Sequence, residues 1–254
     1  MKTSTTLRSK KLLKVVVATL FWFLVWLLCA LAINKELILP SPLLVFSKMF
    51  SMVTTAVFWQ HTFVTFLRII IGYILGVAIA IALAMLTYNY EICDAIISPV
   101  IRIIRATPVA SFIILVLLWA GKNYLPSIIV ALMVIPVVWE NLVVSYQNTD
   151  ENLIEMAEAY RLSKMKQFFH IRVPAAFTAF SSAALTAMGL AWKSGIAAEV
   201  LAQPKIAIGT QLYYSKIYLE TSELFAWTIV VVLMSLCIEK LVVMLLAGRK
   251  DNEN

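Results

Sequence analysis

The sequence predicts an all-α, polytopic membrane protein with about six transmembrane helices. Hydrophobic residues make up 62% of the 254-residue chain and charged residues only 14%, a composition outside the range of soluble domains. Apolar runs of about twenty residues recur along the chain, and a helix needs that length to cross about 30 Å of hydrocarbon. We therefore treat residues 1–254 as a single transmembrane domain.

The apolar runs predict six spans, and the third is the least regular. Pro108 divides this third run, and a proline within a helix favours a kink because it lacks an N–H group and fixes φ. The predicted spans cover residues 15–33, 63–86, 99–120, 126–146, 175–196 and 224–247.

The distribution of lysine and arginine predicts the orientation. With the N-terminus inside, thirteen of these residues lie on the cytoplasmic side and five outside, as the positive-inside rule requires. This predicts a cytoplasmic tail at 1–14 and both termini in the cytoplasm. The basic start, the apolar run and Ala30-Leu31-Ala32 also fit a cleavable signal peptide, but the 19-residue run favours an uncleaved span. The thirteen cytoplasmic residues are Lys2, Arg8, Lys10, Lys11, Lys14, Arg102, Arg105, Arg161, Lys164, Lys166, Arg172, Arg249 and Lys250.

Residues 41–59 predict an amphipathic helix on the external interface. Ser41 suits the helix cap, Pro42 the first helical position, and Leu43, Phe46 and Phe50 share one face. We interpret this face as a packing surface between two spans rather than a sensor.

A highly charged stretch at residues 148–174, the charged loop, predicts a cytoplasmic helix-turn-helix. Thr149 or Asp150 can cap its first helix, Ser163 can cap the second, and Pro174 leads into the fifth span. Charged loops are commonly solvated connectors. The pair Phe168 and Phe169 argues against that alternative, because a connector has no need of apolar contacts.

The charged loop resembles the EAA coupling loop of ABC-importer permeases, whose pattern is E-A-A, three residues, G, nine residues, I-x-L-P. Glu155, Met156 and Ala157 stand at E-A-A, Arg161 at the glycine, and residues 171–174 at I-x-L-P, with every interval kept. Because a helix-ending glycine usually supplies a left-handed residue, Arg161 must either bear a strain of about 1 kcal/mol or close the turn differently.

Further motifs are similar, in order and spacing, to permeases of the nitrate/sulfonate/taurine group, over residues 37 to 245. They do not name a substrate. The motifs are Leu39-Pro40-Ser41-Pro42, Leu67-Arg68 with Gly72, Arg105-Ala106-Thr107-Pro108, Leu118-Trp119-Ala120-Gly121, and Ala191-Trp192-Lys193 through Ala197-Ala198-Glu199.

The resemblance implies a transport subunit rather than an enzyme. Its implied partners are cytoplasmic ABC ATPase subunits, a second permease copy (a homodimer), an extracytoplasmic solute-binding protein and membrane lipid, with no nucleic acid. The sequence has no phosphate-binding glycine motif, and His61 and His170 lie on opposite sides, so we expect no cofactor or metal. The residues expected to couple to the ATPase are Glu155, Ala157, Glu158, Ala159, Arg161 and Leu162.

Four ionisable residues within or beside the spans are candidates for the pathway, because a charge in hydrocarbon is costly unless it is paired or wet. Arg68, Lys193 and Glu199 are predicted to share the outer third of the membrane, where Glu199 can neutralise one cation and leave the other for an anionic solute. A structural ion pair is the alternative. Glu140, near the inner side, is predicted to face Arg102 or Arg105.

Small residues mark two spans. Gly72, Gly76, Ala80 and Ala84 recur every four residues on the second span, which fits either tight packing within one subunit or a dimer face. The fifth span is rich in alanine, serine and threonine and can pack tightly or line a cavity.

An ABC-importer permease is the favoured function. A secondary transporter or channel without an ATPase partner is the alternative, and a membrane-embedded enzyme is less well supported.

Overall fold

In a computed structural model, which describes residues 3–247, every regular element of the described chain is a helix. Side chains are described for residues 13–150 and 152–244, so the predictions for Lys2, Arg8, Lys10, Lys11, Arg249 and Lys250 lie outside the described side chains. The helices are α1 (Thr3–Ile33), α2 (Pro42–Val53), α3 (Ala56–Asn89), α4 (Glu91–Ala106), α5 (Val109–Leu117), α6 (Leu125–Gln147), α7 (Glu151–Ala159), α8 (Lys164–Gln167), α9 (Val173–Ala202), α10 (Ile208–Ile217) and α11 (Thr221–Ala247).

The polytopic all-α prediction is confirmed. Five helices are long and apolar enough to cross a membrane, and the count rises to six if the bent pair α4–α5 forms one span. These helices extend beyond the predicted spans, and α1 begins at Thr3, so most of the predicted tail at 1–14 is helical.

The predicted third span at 99–120 is not one helix. α4 and α5 meet at an angle of 105° across Thr107 and Pro108. Thr107 is extended (φ −82°, ψ 130°), because a proline excludes the preceding residue from the helical region. The nine residues of α5 rise only about 14 Å, too little to cross the hydrocarbon. α4 is amphipathic instead, with a polar face formed by Glu91, Asp94, Ser98, Arg102 and Arg105.

One compact unit comprises residues 1–59 and 211–231. Within it the predicted external helix is shorter than expected, because α2 ends at Val53 and residues 56–59 already belong to α3. The predicted cap is present, with Ser41 Oγ accepting from Leu44 N. Lys48 on α2 lies 3.0 Å from Glu223, and its hydrogen bond to that carboxylate is the main cause of the raised pKa of Lys48.

A second unit comprises residues 60–210 and 232–254 and contains the core of α3, α6 and α9. A Cβ atom on Gly72 would lie 2.5 Å from the Ser127 carbonyl oxygen of α6, and one on Gly195 of α9 would lie 2.7 Å from Ile69 of α3. Ala80 and Ala84 are fully buried. The small-residue stripe therefore brings α3 against α6 within one chain, which leaves it unavailable as a dimer face.

Candidate functional site

The charged loop begins with a capped helix and a strained turn. Asp150 Oδ1 accepts from Asn152 N at 2.9 Å and caps α7. At the other end, Arg161 is left-handed (φ 52°). Leu162 N donates to Ala157 O and Arg161 N to Glu158 O, the paired bonds of a glycine-type helix end. Of the two closures that the sequence left open, the chain adopts the strained one.

Replacing Arg161 with glycine is therefore expected to stabilise the charged loop by about 1 kcal/mol, because glycine reaches the left-handed region without a Cβ clash. Hydrogen exchange of the amides of α7 measures this directly and should slow in Arg161→Gly. Arg161→Ala, which keeps the Cβ but removes the charge, is the matched control and should leave exchange unchanged. Faster exchange in the glycine variant would contradict the assignment of strain.

The predicted second helix of the charged loop is present as α8, and it is continuous with the fifth span. Ser163 caps α8, as predicted, with its Oγ accepting from Lys166 N. Residues 168–172 then widen into a π-helical turn, in which Val173 N donates to Phe168 O, before α9 begins. The wider turn fits Pro174, which has no N–H group and whose ring crowds the carbonyl four residues earlier in an ordinary α-helix.

Aromatic and charged contacts fix this loop to the ends of two spans. Phe168 is buried, and its ring centroid lies 5.1 Å from that of Tyr146 on α6 and 5.9 Å from that of Tyr88 on α3. Arg172 donates to Tyr146 O at 2.6 Å, and its guanidinium lies 4.8 Å from the centre of the Tyr88 ring. These contacts connect the loop to α3 and α6, and its second helix continues into α9.

The predicted coupling residues divide into surface and core. Glu155, Glu158, Ala159, Arg161 and Leu162 are exposed, whereas Ala157 is 1% exposed. Ala157 thus allows close packing inside the loop and cannot itself contact a partner. This surface also exposes large apolar side chains, among them Phe169, which had already argued against a solvated connector. They are Leu153, Met156, Tyr160, Met165 and Phe169.

A buried ion pair joins α3 to the C-terminal end of α9. Arg68 Nη1 lies 2.5 Å from Glu199 Oε1, and the carboxylate is fully buried. The Thr65 hydroxyl lies 2.8 Å from Oε2, and Gly209 N donates to Oε2 at 3.2 Å. Arg68 also donates to Ile206 O. Both charges therefore have partners within the chain.

The segment between α9 and α10 completes this buried cluster, which no motif in the sequence had indicated. Ile208 N donates to the Thr65 hydroxyl at 2.9 Å, and Ala207 N to His61 Nδ1 at 3.0 Å. A Cβ atom on Gly209 would lie 2.4 Å from the Glu199 Cβ, so only glycine fits there without a shift.

Lys193 is placed differently from Arg68. It is exposed on α9, and no carboxylate in the described part of the chain forms an ion pair with it. Because α9 continues to Ala202, beyond the predicted end of the span at 196, Lys193 lies about 14 Å before the C-terminal end of the helix. The exposed face that carries it also includes small and polar residues: Thr178, Ser182, Thr186 and Ala197.

Glu140 forms an ion pair with Arg105, the residue immediately before the α4–α5 bend. Of the two arginines predicted to face Glu140, the structure selects this one. Both side chains remain substantially exposed, so the pair is not sealed inside the chain.

Comparison with known proteins gives one family and several relatives. The family model described as "Binding-protein-dependent transport system inner membrane component" matches residues 72–248. A Haemophilus influenzae protein named "Probable ABC transporter permease protein" is 27% identical over 90% of this chain and 91% of its own length. SsuC of Escherichia coli, whose name refers to aliphatic sulfonates transport, is 28% identical over 65% of this chain and 63% of its own. RibX of Chloroflexus aurantiacus, a riboflavin transport system permease protein, is 25% identical over 83% and 77%.

Proposed function

The chain belongs to the family of binding-protein-dependent transport system inner membrane components, and from that premise we propose that it forms the alternating-access pathway of an ATP-binding-cassette importer for a small anionic solute. It is a membrane transport subunit, and the energy of ATP comes from a separate ATPase. The observation that carries the proposal is the charged loop, which is anchored to three spans and exposes apolar side chains.

We infer that the exposed surface of the charged loop docks on the ATPase. Half-exposed Met156 and strongly exposed Tyr160 are side-chain types enriched at protein interfaces, and the acids Glu155 and Glu158 surround them with charge. A separable interface of this kind has an apolar centre and a polar rim. Movement of the ATPase would then reach α3 and α6 through Phe168 and Arg172.

Met156→Asp is expected to reduce solute-stimulated ATP hydrolysis about tenfold, because it places a charge in the apolar centre of the interface. Since Met156 is exposed, the permease itself should still insert and fold. The measurement is ATPase activity of complexes in nanodiscs, with co-purification of the ATPase as the measure of assembly. Met156→Leu is the control and should retain activity, and full activity in Met156→Asp would contradict docking at this surface.

Support for a second copy comes from the exposed face of α9. Thr178, Ser182, Thr186 and Lys193 are unfavourable against hydrocarbon, so this face should be covered by protein or water. A second copy of the chain, facing this one across a water-filled pathway, would supply both the protein and the water that cover this face. An exposed apolar surface, such as that of Phe21 and Trp22 on α1, suits contact with lipid instead.

We infer an anionic solute because one of the two candidate cations, Lys193, has no carboxylate partner in the described chain. Arg68 is neutralised by Glu199, whereas Lys193 is not paired within the described chain. A cation in a low-dielectric pathway gains much more from an anionic ligand than the same pair gains in water. The names of the relatives range from aliphatic sulfonates to riboflavin and do not choose the solute.

We also propose that the chain lies in a bacterial inner membrane, with both termini and the charged loop on the cytoplasmic side. The lysine and arginine bias supports this orientation. Docking of the charged loop on a cytoplasmic ATPase requires the same orientation, so the Met156 experiment tests both.

A further inference from the structure

A second ionisable group lies against the exposed face of α9. Glu239 belongs to α11, within a candidate membrane span. A Cβ atom built on Gly189 of α9 would lie 3.3 Å from Glu239 Oε1, so the carboxylate rests on the helix backbone where the side chain is missing. Glu239 lies within the predicted sixth span, 224–247, but was not among the four ionisable residues selected from the sequence.

The contacts of Glu239 do not account for its presence in a membrane span. Ser235 Oγ, on the same helix, donates to Oε1 at a long 3.4 Å. Within the described part of the chain, no lysine or arginine lies in ion-pair distance of this carboxylate. Glu239 is only partly buried. Carboxylates are rare in membrane spans and usually pair with another group or face a polar pathway.

Gly189 and Lys193 are one helical turn apart on α9, a rise of about 6 Å on the same face. The carboxylate of Glu239 lies beside Gly189, one turn from the residue that carries the Lys193 ammonium, and the two charged groups do not form an ion pair. Opposite charges at this spacing can hold two ends of one ligand.

We propose that Lys193 and Glu239 form a two-ended site for a dipolar solute, in which Lys193 binds an anionic group and Glu239 binds an ammonium or similar cationic donor about one helical turn away. This inference rests on the proposed function, because it takes the exposed face of α9 as the pathway. The two-ended site narrows the proposed class of solute, from any small molecule with an anionic group to one that also carries a positively charged hydrogen-bond donor.

Weak binding of three simple probes tests this directly. Saturation-transfer NMR on the permease–ATPase complex in nanodiscs would compare β-alanine, which carries both charges, with propionate and propylamine, which carry one each. β-Alanine is expected to bind about tenfold more tightly than either, since each end adds a charge-assisted contact.

The variants separate the two ends. Glu239→Gln should lower β-alanine affinity to that of propionate and leave propionate unchanged, whereas Lys193→Met should remove propionate binding. Lys240→Gln, which removes a charge from the adjacent exposed position of α11, is the control and should bind as wild type. Equal binding of β-alanine and propionate to wild type, undetectable β-alanine binding, or unchanged β-alanine binding in Glu239→Gln would overturn the two-ended site. If β-alanine and propionate bind equally to wild type and both fail to bind Lys193→Met, the two-ended site is wrong but the proposed anionic pathway is supported. The proposed importer function is tested separately, by ATP-driven uptake.

Discussion

Replacing Arg68 with methionine, or Glu199 with leucine, is expected to lower the stability of the folded chain by about 3–5 kcal/mol, because either change leaves the other charge buried and unpaired. Glu199 is fully buried, and its oxygens also accept from Thr65 and Gly209. Loss of the carboxylate thus releases the segment before α10 as well. The melting temperature of the purified chain in detergent measures this effect.

The double variant Arg68→Met/Glu199→Leu separates the cost of an orphaned charge from the cost of lost packing. It should be more stable than either single variant, since no unpaired charge remains. Lys193→Met, at an exposed position on the same helix as Glu199, should melt as wild type. Single variants at position 68 or 199 with wild-type melting would show that the ion pair does not hold α3 and α9 together.

Lys193→Met is expected to reduce solute uptake to background while leaving the amount of assembled complex and its basal ATP hydrolysis unchanged. Lys193 is the exposed membrane cation on α9, and its charge is not compensated within the described chain. Lys193→Arg keeps the positive charge but changes the shape and hydrogen-bond geometry of the cationic group. This variant should therefore retain part of the uptake. The measurement is uptake per assembled complex in proteoliposomes.

Lys205→Met provides the matched control, because Lys205 is exposed beyond the end of α9. It should transport as wild type. If Lys193→Met takes up solute at the wild-type rate per complex, Lys193 does not act in the pathway. If uptake and folded complex fall in proportion, the lysine is structural.

The spans were predictable because about twenty apolar residues in sequence have few alternatives in a membrane. A kink at Pro108 was predictable, whereas the amphipathic character of α4 was missed because apolar content was counted from Pro99, after the polar face has begun at Glu91. The spacing of Glu91, Asp94, Ser98, Arg102 and Arg105 was readable, but the 105° bend depends on tertiary packing as well as on Pro108.

The candidate site was only partly predictable. Motif spacing located the charged loop and the left-handed position of Arg161, since both depend on residues close in sequence. The roles of Ala157 and Glu239 depend on which neighbour each faces. Ala157 is buried by the fold of the loop, and Glu239 gains its importance from Gly189, 50 residues earlier in the chain.

The central claim is that this chain moves solute only when a separate ATPase acts on the charged loop. The most direct measurement is uptake into proteoliposomes that contain the complex of this chain and its ATPase, supplied with the loaded solute-binding protein, with and without ATP. The proposed function predicts uptake that requires both ATP and the binding protein and that is lost in Met156→Asp although the complex remains assembled. Uptake by the chain alone, driven by an ion or solute gradient without ATP, would contradict it and identify a secondary transporter or channel.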